Sequence, residues 1–72
     1  MAVVRKVREQ WRVGGEHGNT VLTIWTNQTA RLDFTLQGNN GELKTWSDIL
    51  PSEGLAWLED CRQQSLQITK LL

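Results

Sequence analysis

The nine residues TARLDFTLQ (Thr29–Gln37) decide the fold. Ala30, Leu32, Phe34 and Leu36 fall on one parity, and Thr29, Arg31, Asp33, Thr35 and Gln37 on the other. A strand sends successive side chains to opposite faces, so this run reads as a β-strand with one buried and one wetted side. The chain breaks on both sides of it. Asn27-Gln28 precedes the run and Gly38-Asn39-Asn40-Gly41 follows it, and glycine and asparagine tolerate the positive φ that tight turns need. Upstream, Thr20–Thr26 holds Val21, Leu22, Ile24 and Trp25, β-branched and aromatic enough for a strand that is apolar on both faces. Downstream, Glu42–Trp46 is long enough for a short final strand.

At the front of the chain, Val3–Val13 alternates again. Val3, Val7, Trp11 and Val13 share one parity, while Lys6, Arg8, Gln10 and Arg12 make a basic stripe on the other. Arg5 and Glu9 intrude on the apolar parity and leave the register of this strand open. Gly14–Asn19, with three glycines, His17 and an asparagine, is turn chemistry between two β-prone runs. Three turns joining four strands give a four-stranded antiparallel meander.

After Ser47 the chemistry changes. Pro51 suits the first turn of a helix and Ser47 or Ser52 is a candidate cap. Leu55, Leu58, Cys61 and Ser65 then recur at helical spacing, which predicts a helix from about 51 to 69. Glu53 near its start and Lys70 near its end carry the signs that the helix dipole favours. Gly54 costs about 1 kcal/mol relative to alanine, so fraying is expected in the first turn. Strands followed by one helix predict an α+β domain, β-β-β-β-α, with the helix on one face of the sheet.

Seventy-two residues leave room for one domain, 1–72. One cysteine and one histidine supply neither a disulfide nor the four ligands of a structural zinc site, so no cofactor is expected. An unstapled core of this size rarely contributes more than about 3–5 kcal/mol, which makes a homodimer a reasonable expectation. No apolar run approaches the roughly 18 residues needed to span a bilayer, and no signal-peptide pattern opens the chain; the expectation is a cytoplasmic protein without membrane contact. Enzyme chemistry is not expected either. Its only histidine, His17, sits in a glycine-rich turn, and Asp48, Glu53, Glu59 and Asp60 read as a solvated acidic face. Gly14-Gly15 follows a strand but lacks the Lys-Ser/Thr of a phosphate loop and precedes another strand. Cys61, on the apolar helix stripe, reads as a small buried residue.

What remains is a biased aromatic set: four tryptophans, one phenylalanine and no tyrosine. Trp11 and Trp57 sit beside apolar stripes and are assigned to core or dimer contact, while Trp25 and Trp46 are open between core packing and exposure. Charge is also partitioned. The formal net is zero, yet residues 1–46 hold six bases against four acids and residues 47–72 two bases against four acids. Cations on a sheet face together with flat rings are the chemistry of single-stranded nucleic-acid binding, in which Lys and Arg meet phosphates and bases lie on aromatic faces.

A family resemblance points the same way. Val21-Leu22-Thr23-Ile24-Trp25-Thr26-Asn27 followed by Ala30-Arg31-Leu32-Asp33-Phe34 is similar to the bacterial branch of the transcriptional-coactivator (positive cofactor four) family, with its apolar strand ending near Trp-Asn and its Lys-Leu-Asp-Ile-Arg strand. Asp48-Ile49-Leu50-Pro51-Ser52-Glu53 and Leu55 to Leu58 resemble that family's last strand and helix start. The likeness spans roughly residues 20–60 and implies a dimeric β-β-β-β-α subunit that lays single-stranded DNA or RNA across its sheets. The Arg and Trp that close the family's third strand fall here near Thr35 and Gln37, and the Lys-Gly opening its last strand falls near Trp46-Ser47. Only Trp25 and Arg31 therefore carry over as matching types.

The leading reading is a non-catalytic module for single-stranded DNA or RNA, with Lys6, Arg8, Arg12, Arg31 and Lys44 as phosphate contacts and Trp25 and Trp46 as stacking surfaces. Two others stay open. One is a protein-interaction adaptor or inhibitor whose exposed tryptophans anchor a protein partner, since Trp and Arg are the residue types that dominate interface hot spots. The other is a structural subunit with its tryptophans at a dimer seam.

Overall fold

Alternation along the chain produces five strands and one helix in a computed structural model that describes residues 5–15, 18–38 and 40–72. Val3 of the expected first strand, Glu16 and His17 of the first turn and Asn39 of the third lie outside the described residues. The strands are β1 (Val7–Gly15), β2 (Gly18–Trp25), β3 (Ala30–Gly38), β4 (Gly41–Ile49) and β5 (Gln67–Lys70), and helix α1 spans Pro51–Gln63. They form one antiparallel sheet in the order β4-β3-β2-β1-β5. The expected four-stranded meander is present, and a fifth strand extends it beyond β1.

Cross-strand partners share a face, so the register sorts every side chain. Trp11, Leu22, Leu32 and Ser47 form one row, Val13, Thr20, Phe34 and Thr45 the next, and Glu9, Ile24, Ala30 and Ile49 a third. This is the apolar side. Leu22, Ile24, Ala30, Leu32 and Val13 are buried there with Leu58 and Cys61 of α1, flanked by Trp11, Phe34, Ile49, Trp57 and Ile68. Trp11 and Trp57 thus join the core, as expected.

The helix is seated by its glycine. A Cβ on Gly54 would lie 2.7 Å from a Leu22 methyl and 3.3 Å from one of Ile49, so a side chain here would have to push the buried Leu22 aside. Gly54 is buried, and the first turn of α1 packs on Leu22 and Ile49 of the sheet. The buried stripe keeps Leu58 and Cys61 of the expected one but begins at Gly54, and Leu55 is left exposed. Neither candidate serine caps the helix. Ser47 belongs to β4 and Ser52 is already helical; Leu50 is the N-cap residue, Pro51 follows, and the Glu53 carboxylate accepts the Leu50 N–H at 3.0 Å.

Two boundaries differ from expectation. β4 continues past Trp46 to Ile49, because β3 offers a partner all the way to Ala30 opposite Ile49. The helix stops at Gln63 and not near 69. Ser65 adopts φ 61°, its N–H bonds the Arg62 carbonyl at 3.0 Å, and the Leu66 N–H reaches back to the Cys61 carbonyl at 3.1 Å. These two bonds are the Schellman arrangement that ends a helix. The β-branched Ile68 and Thr69 then pair with Val13 and Arg12, so Lys70 ends a strand beside Trp11, and Arg62 is the base in the last helical turn.

Candidate functional site

The face away from α1 carries the other parity. Its rows are Gln10, Thr23, Arg31 and Asp48; Arg12, Val21, Asp33 and Trp46; and Asn19, Thr35 and Lys44, with Trp25 opposite Val7 at one end. The helix packs against the opposite side, so this face is uncovered among the described residues.

At its centre stands a stack of rings and guanidinium groups. Arg5 lies 4.0 Å above the Trp25 ring, and Arg31 lies 5.7 Å from the centre of Trp25 and 5.7 Å from that of Trp46. The order Arg5, Trp25, Arg31, Trp46 arises because Trp25 and Trp46 flank Arg31 diagonally on the two strands beside it. Guanidinium planes favour indole faces because of the ring quadrupole, by roughly 0.5–1 kcal/mol at exposed sites. Asp48, directly across from Arg31, accepts its Nε–H at 3.2 Å and holds the guanidinium in place. Beneath the stack, Thr23 is buried and its hydroxyl accepts the Gln10 amide at 3.0 Å.

Trp46 is 62% exposed, so much of its indole is available to a flat partner. Trp25 is half-buried, with Arg5 across its ring. Lys44 lies two residues from Trp46 on β4, its Nζ 4.0 Å from Glu42, and Arg12 is exposed on the same face from β1. The carboxylates of Asp33, Glu42 and Asp48 are interleaved with these bases. Four cations (Arg5, Arg12, Arg31, Lys44) against three acids make the face only slightly basic.

Five of the seven expected site residues, Arg12, Trp25, Arg31, Lys44 and Trp46, therefore share one surface. Lys6 and Arg8 do not join it. Val7 pairs with Trp25 and Glu9 with Ile24, which leaves Arg8 as the extra residue of a β-bulge. The bulge flips parity, so Val7 falls on the open face, Glu9 on the helix side, and alternation turns Lys6 away from Arg12. Arg8 is engaged by Glu9 at 3.3 Å, whose other oxygen receives the Trp11 indole N–H at 3.4 Å. Lys6 lies past the strand opposite Thr26, which bonds its carbonyl at 2.8 Å. The basic stripe of the alternating sequence is thus broken after Arg12, and Arg5 takes the place of Lys6. The signal was present in the sequence: Arg5 and Glu9 both violate the apolar parity, and a parity break within Arg5–Glu9 relieves half of that conflict by moving Arg5 outward.

Elsewhere, no group of three His, Cys, Asp or Glu side chains suited to a metal ion occurs among the described residues. Cys61 is buried on α1, and burial, with a smaller contribution from neighbouring Asp60, pushes its thiol above 9.0. That is the reverse of the thiolate-stabilising setting of a reactive cysteine. No helix among the described residues is long and apolar enough to cross a membrane. Compared with protein-family models, curated proteins and solved structures, the chain matches none.

Proposed function

We propose that the open face binds single-stranded nucleic acid, without catalysis, and that Trp46 is its principal stacking surface. The observation that carries this reading is the coincidence of Trp25, Arg31 and Trp46 in one stack on an uncovered face, with Arg5, Arg12 and Lys44 around it. A base laid on the exposed indole of Trp46 gains roughly 1–3 kcal/mol, and its phosphates meet Lys44 on one side and Arg31 on the other. With only four cations, the salt dependence is shallow: each phosphate neutralised contributes a slope of about −0.7 for a single strand. The two contacts expected from Lys6 and Arg8 are not part of this surface.

Tryptophan emission titrated with a single-stranded oligonucleotide tests the reading. Quenching that weakens as salt rises, and that is largely lost in Trp46→Ala, is the expected result. Unquenched emission at about 50 mM salt, where phosphate contacts are strong, removes it.

The interleaved carboxylates favour a second reading, a protein partner of mixed charge anchored on Trp46. Asp33, Glu42 and Asp48 repel a polyanion but suit a surface that brings both signs. Recovery of one defined protein by the wild-type chain and not by Trp46→Ala, with no oligonucleotide quenching, decides for it.

A further inference from the structure

We infer that β4 is the contact edge of a homodimer, in which two copies pair antiparallel through Lys44–Asp48 about a two-fold axis at Trp46 and join their sheets into one. The inference is independent of what the open face binds.

The backbone comes first. The Trp25 N–H donates to the Thr29 carbonyl at 2.9 Å, which sets the alternation: Arg31, Asp33 and Thr35 of β3 bond β2, and Ala30, Leu32, Phe34 and Leu36 bond β4. Their partners on β4 are Ile49, Ser47, Thr45 and Leu43. The N–H and C=O groups of Glu42, Lys44, Trp46 and Asp48 therefore point away from the sheet, along an edge that no other strand of the sheet covers. Natural edges are usually blunted by shortness, proline or a bulge. β4 has none of these: it runs nine residues, contains no proline and pairs with β3 in unbroken register from Gly41 to Ile49. Charge also blunts edges, but the charges of β4, Glu42, Lys44 and Asp48, are of both signs and so can complement a second copy. The opposite edge, β5, is four residues long.

The side chains then select both occupant and register. Outward-pointing groups on even-numbered residues must meet even-numbered residues of a second copy, so the axis passes through a residue and not between two. Placed at Trp46, it sets Lys44 opposite Asp48 of the second copy, twice by symmetry, and the two Trp46 side by side on the open face. On the helix side the same register sets Leu43 opposite Ile49 and Thr45 opposite Ser47. Leu43 is 63% exposed in the single chain, where Leu36 lies opposite it on β3, so it gains a second apolar neighbour on its open side. Neighbouring registers are worse. An axis at Thr45 sets Glu42 opposite Asp48, an axis at Lys44 sets two lysines together, and an axis at Asp48 sets two aspartates together; like charges directly opposite oppose pairing. An axis at Ser47 pairs no opposite charges, and an axis at Leu43, which sets Glu42 opposite Lys44, joins only the five residues Gly41–Thr45, where the axis at Trp46 joins the seven residues Leu43–Ile49. A surface complementary to its own copy is what an isologous two-fold contact requires. The open faces of the two copies become continuous, with the two Trp46 at the seam and Arg31 and Trp25 of each copy one and two strands back from it.

Sedimentation of the full chain at sub-millimolar concentration tests this. The wild type is expected at twice 8.3 kDa. Lys44→Glu alone sets Glu opposite Asp twice and Asp48→Lys alone sets Lys opposite Lys twice, so each is expected to dimerise about tenfold to thirtyfold more weakly. An equimolar mixture of the two variants restores both attractive pairs and recovers the dimer as a heterodimer. Far-ultraviolet circular dichroism of each variant keeps the readout on association, because both positions are exposed. A wild type that stays monomeric overturns the inference, as do single variants that dimerise like wild type, or a mixture that gains nothing over its components. None of these measurements includes nucleic acid, so an oligonucleotide that fails to bind leaves the dimer untouched, and a monomer that binds one overturns only the dimer.

Discussion

The two faces of this sheet are built from the same five strands and differ in what a second layer does to them. On the helix side Leu22 and Ile24 are wholly buried, and α1 approaches so closely that a Cβ on Gly54 would lie 2.7 Å from a Leu22 methyl. On the other side the same strands present Arg, Trp and Asp, and order comes from pairwise contacts: Arg5 on Trp25, Arg31 between two indoles, Asp48 on Arg31. The lesson is one of scale. Burial of apolar area stabilises by about 25 cal/mol per Å², whereas an exposed ion pair adds at most about 1 kcal/mol. Stability therefore resides under the helix, and the side chains of the uncovered side are free of that packing constraint.

The sharpest test of that division sets Leu22→Ala against Trp46→Ala. Leu22 is fully buried between α1 and the sheet, so its truncation is expected to cost about 2–5 kcal/mol, comparable to the whole stability of an unstapled domain this small. Trp46→Ala removes a larger side chain from a mostly exposed site, and urea denaturation should move by no more than about 0.5 kcal/mol. Similar midpoints for the two variants break the comparison. In a dimer the Trp46 value acquires a concentration dependence, so both belong at low protein concentration.

Gly54→Ala comes next. Helix propensity alone predicts a gain of about 1 kcal/mol. The added methyl meets Leu22 at 2.7 Å, and forcing extra volume into a packed contact typically costs about 1–3 kcal/mol, so a net loss is expected. A raised thermal midpoint shows that the Leu22 side chain swings aside and that the approach of α1 is looser than 2.7 Å implies. Ser65→Gly has the opposite sign. Ser65 sits at φ 61° as the residue after the helix cap, a conformation that costs a residue with a Cβ roughly 1 kcal/mol and glycine nothing. The variant should be more stable by about that amount in chemical denaturation, which sharpens the comparison by locating strain at the end of the helix layer.

The apolar parity of Ala30, Leu32 and Phe34 made the core face of β3 legible, and turn chemistry at Asn27-Gln28 and Gly38–Gly41 located two of its boundaries. Local pattern failed where a tertiary partner decided the outcome. Glu42–Asp48 is mostly polar, with Leu43 and Trp46 on opposite parities, and does not say how far it pairs; β3 decides that, by offering Ala30 to Ile49. Past Gln63, Ser65 reads as the next member of the helical spacing, but it takes the left-handed conformation, and β1 presents an edge for Ile68 and Thr69. In the candidate site, Trp25, Arg31, Lys44 and Trp46 follow from simple alternation on β2, β3 and β4. Lys6 and Arg8 do not, because a single extra residue reverses parity at no visible cost in composition.

The smallest expected effect tests how dry the helix layer is at its end. Cys61, Trp57 and Leu66 line an open cavity of about 400 Å³ with Val13 and Leu36, and Asp60 stands at its wall. Desolvation raises the Cys61 thiol above 9.0, with Asp60 adding to it, so the folded chain holds its proton more tightly than the unfolded chain does. Stability from this group is complete below the unfolded value and declines as pH rises through 9.0 toward the higher folded value, because the unfolded state gains by ionising first. Urea midpoints measured across that window should fall for wild type and fall less for Cys61→Ala. Parallel slopes for the two proteins mean that water reaches the thiol through the cavity, and that the division between a dry face and a wetted one ends before the last turn of α1.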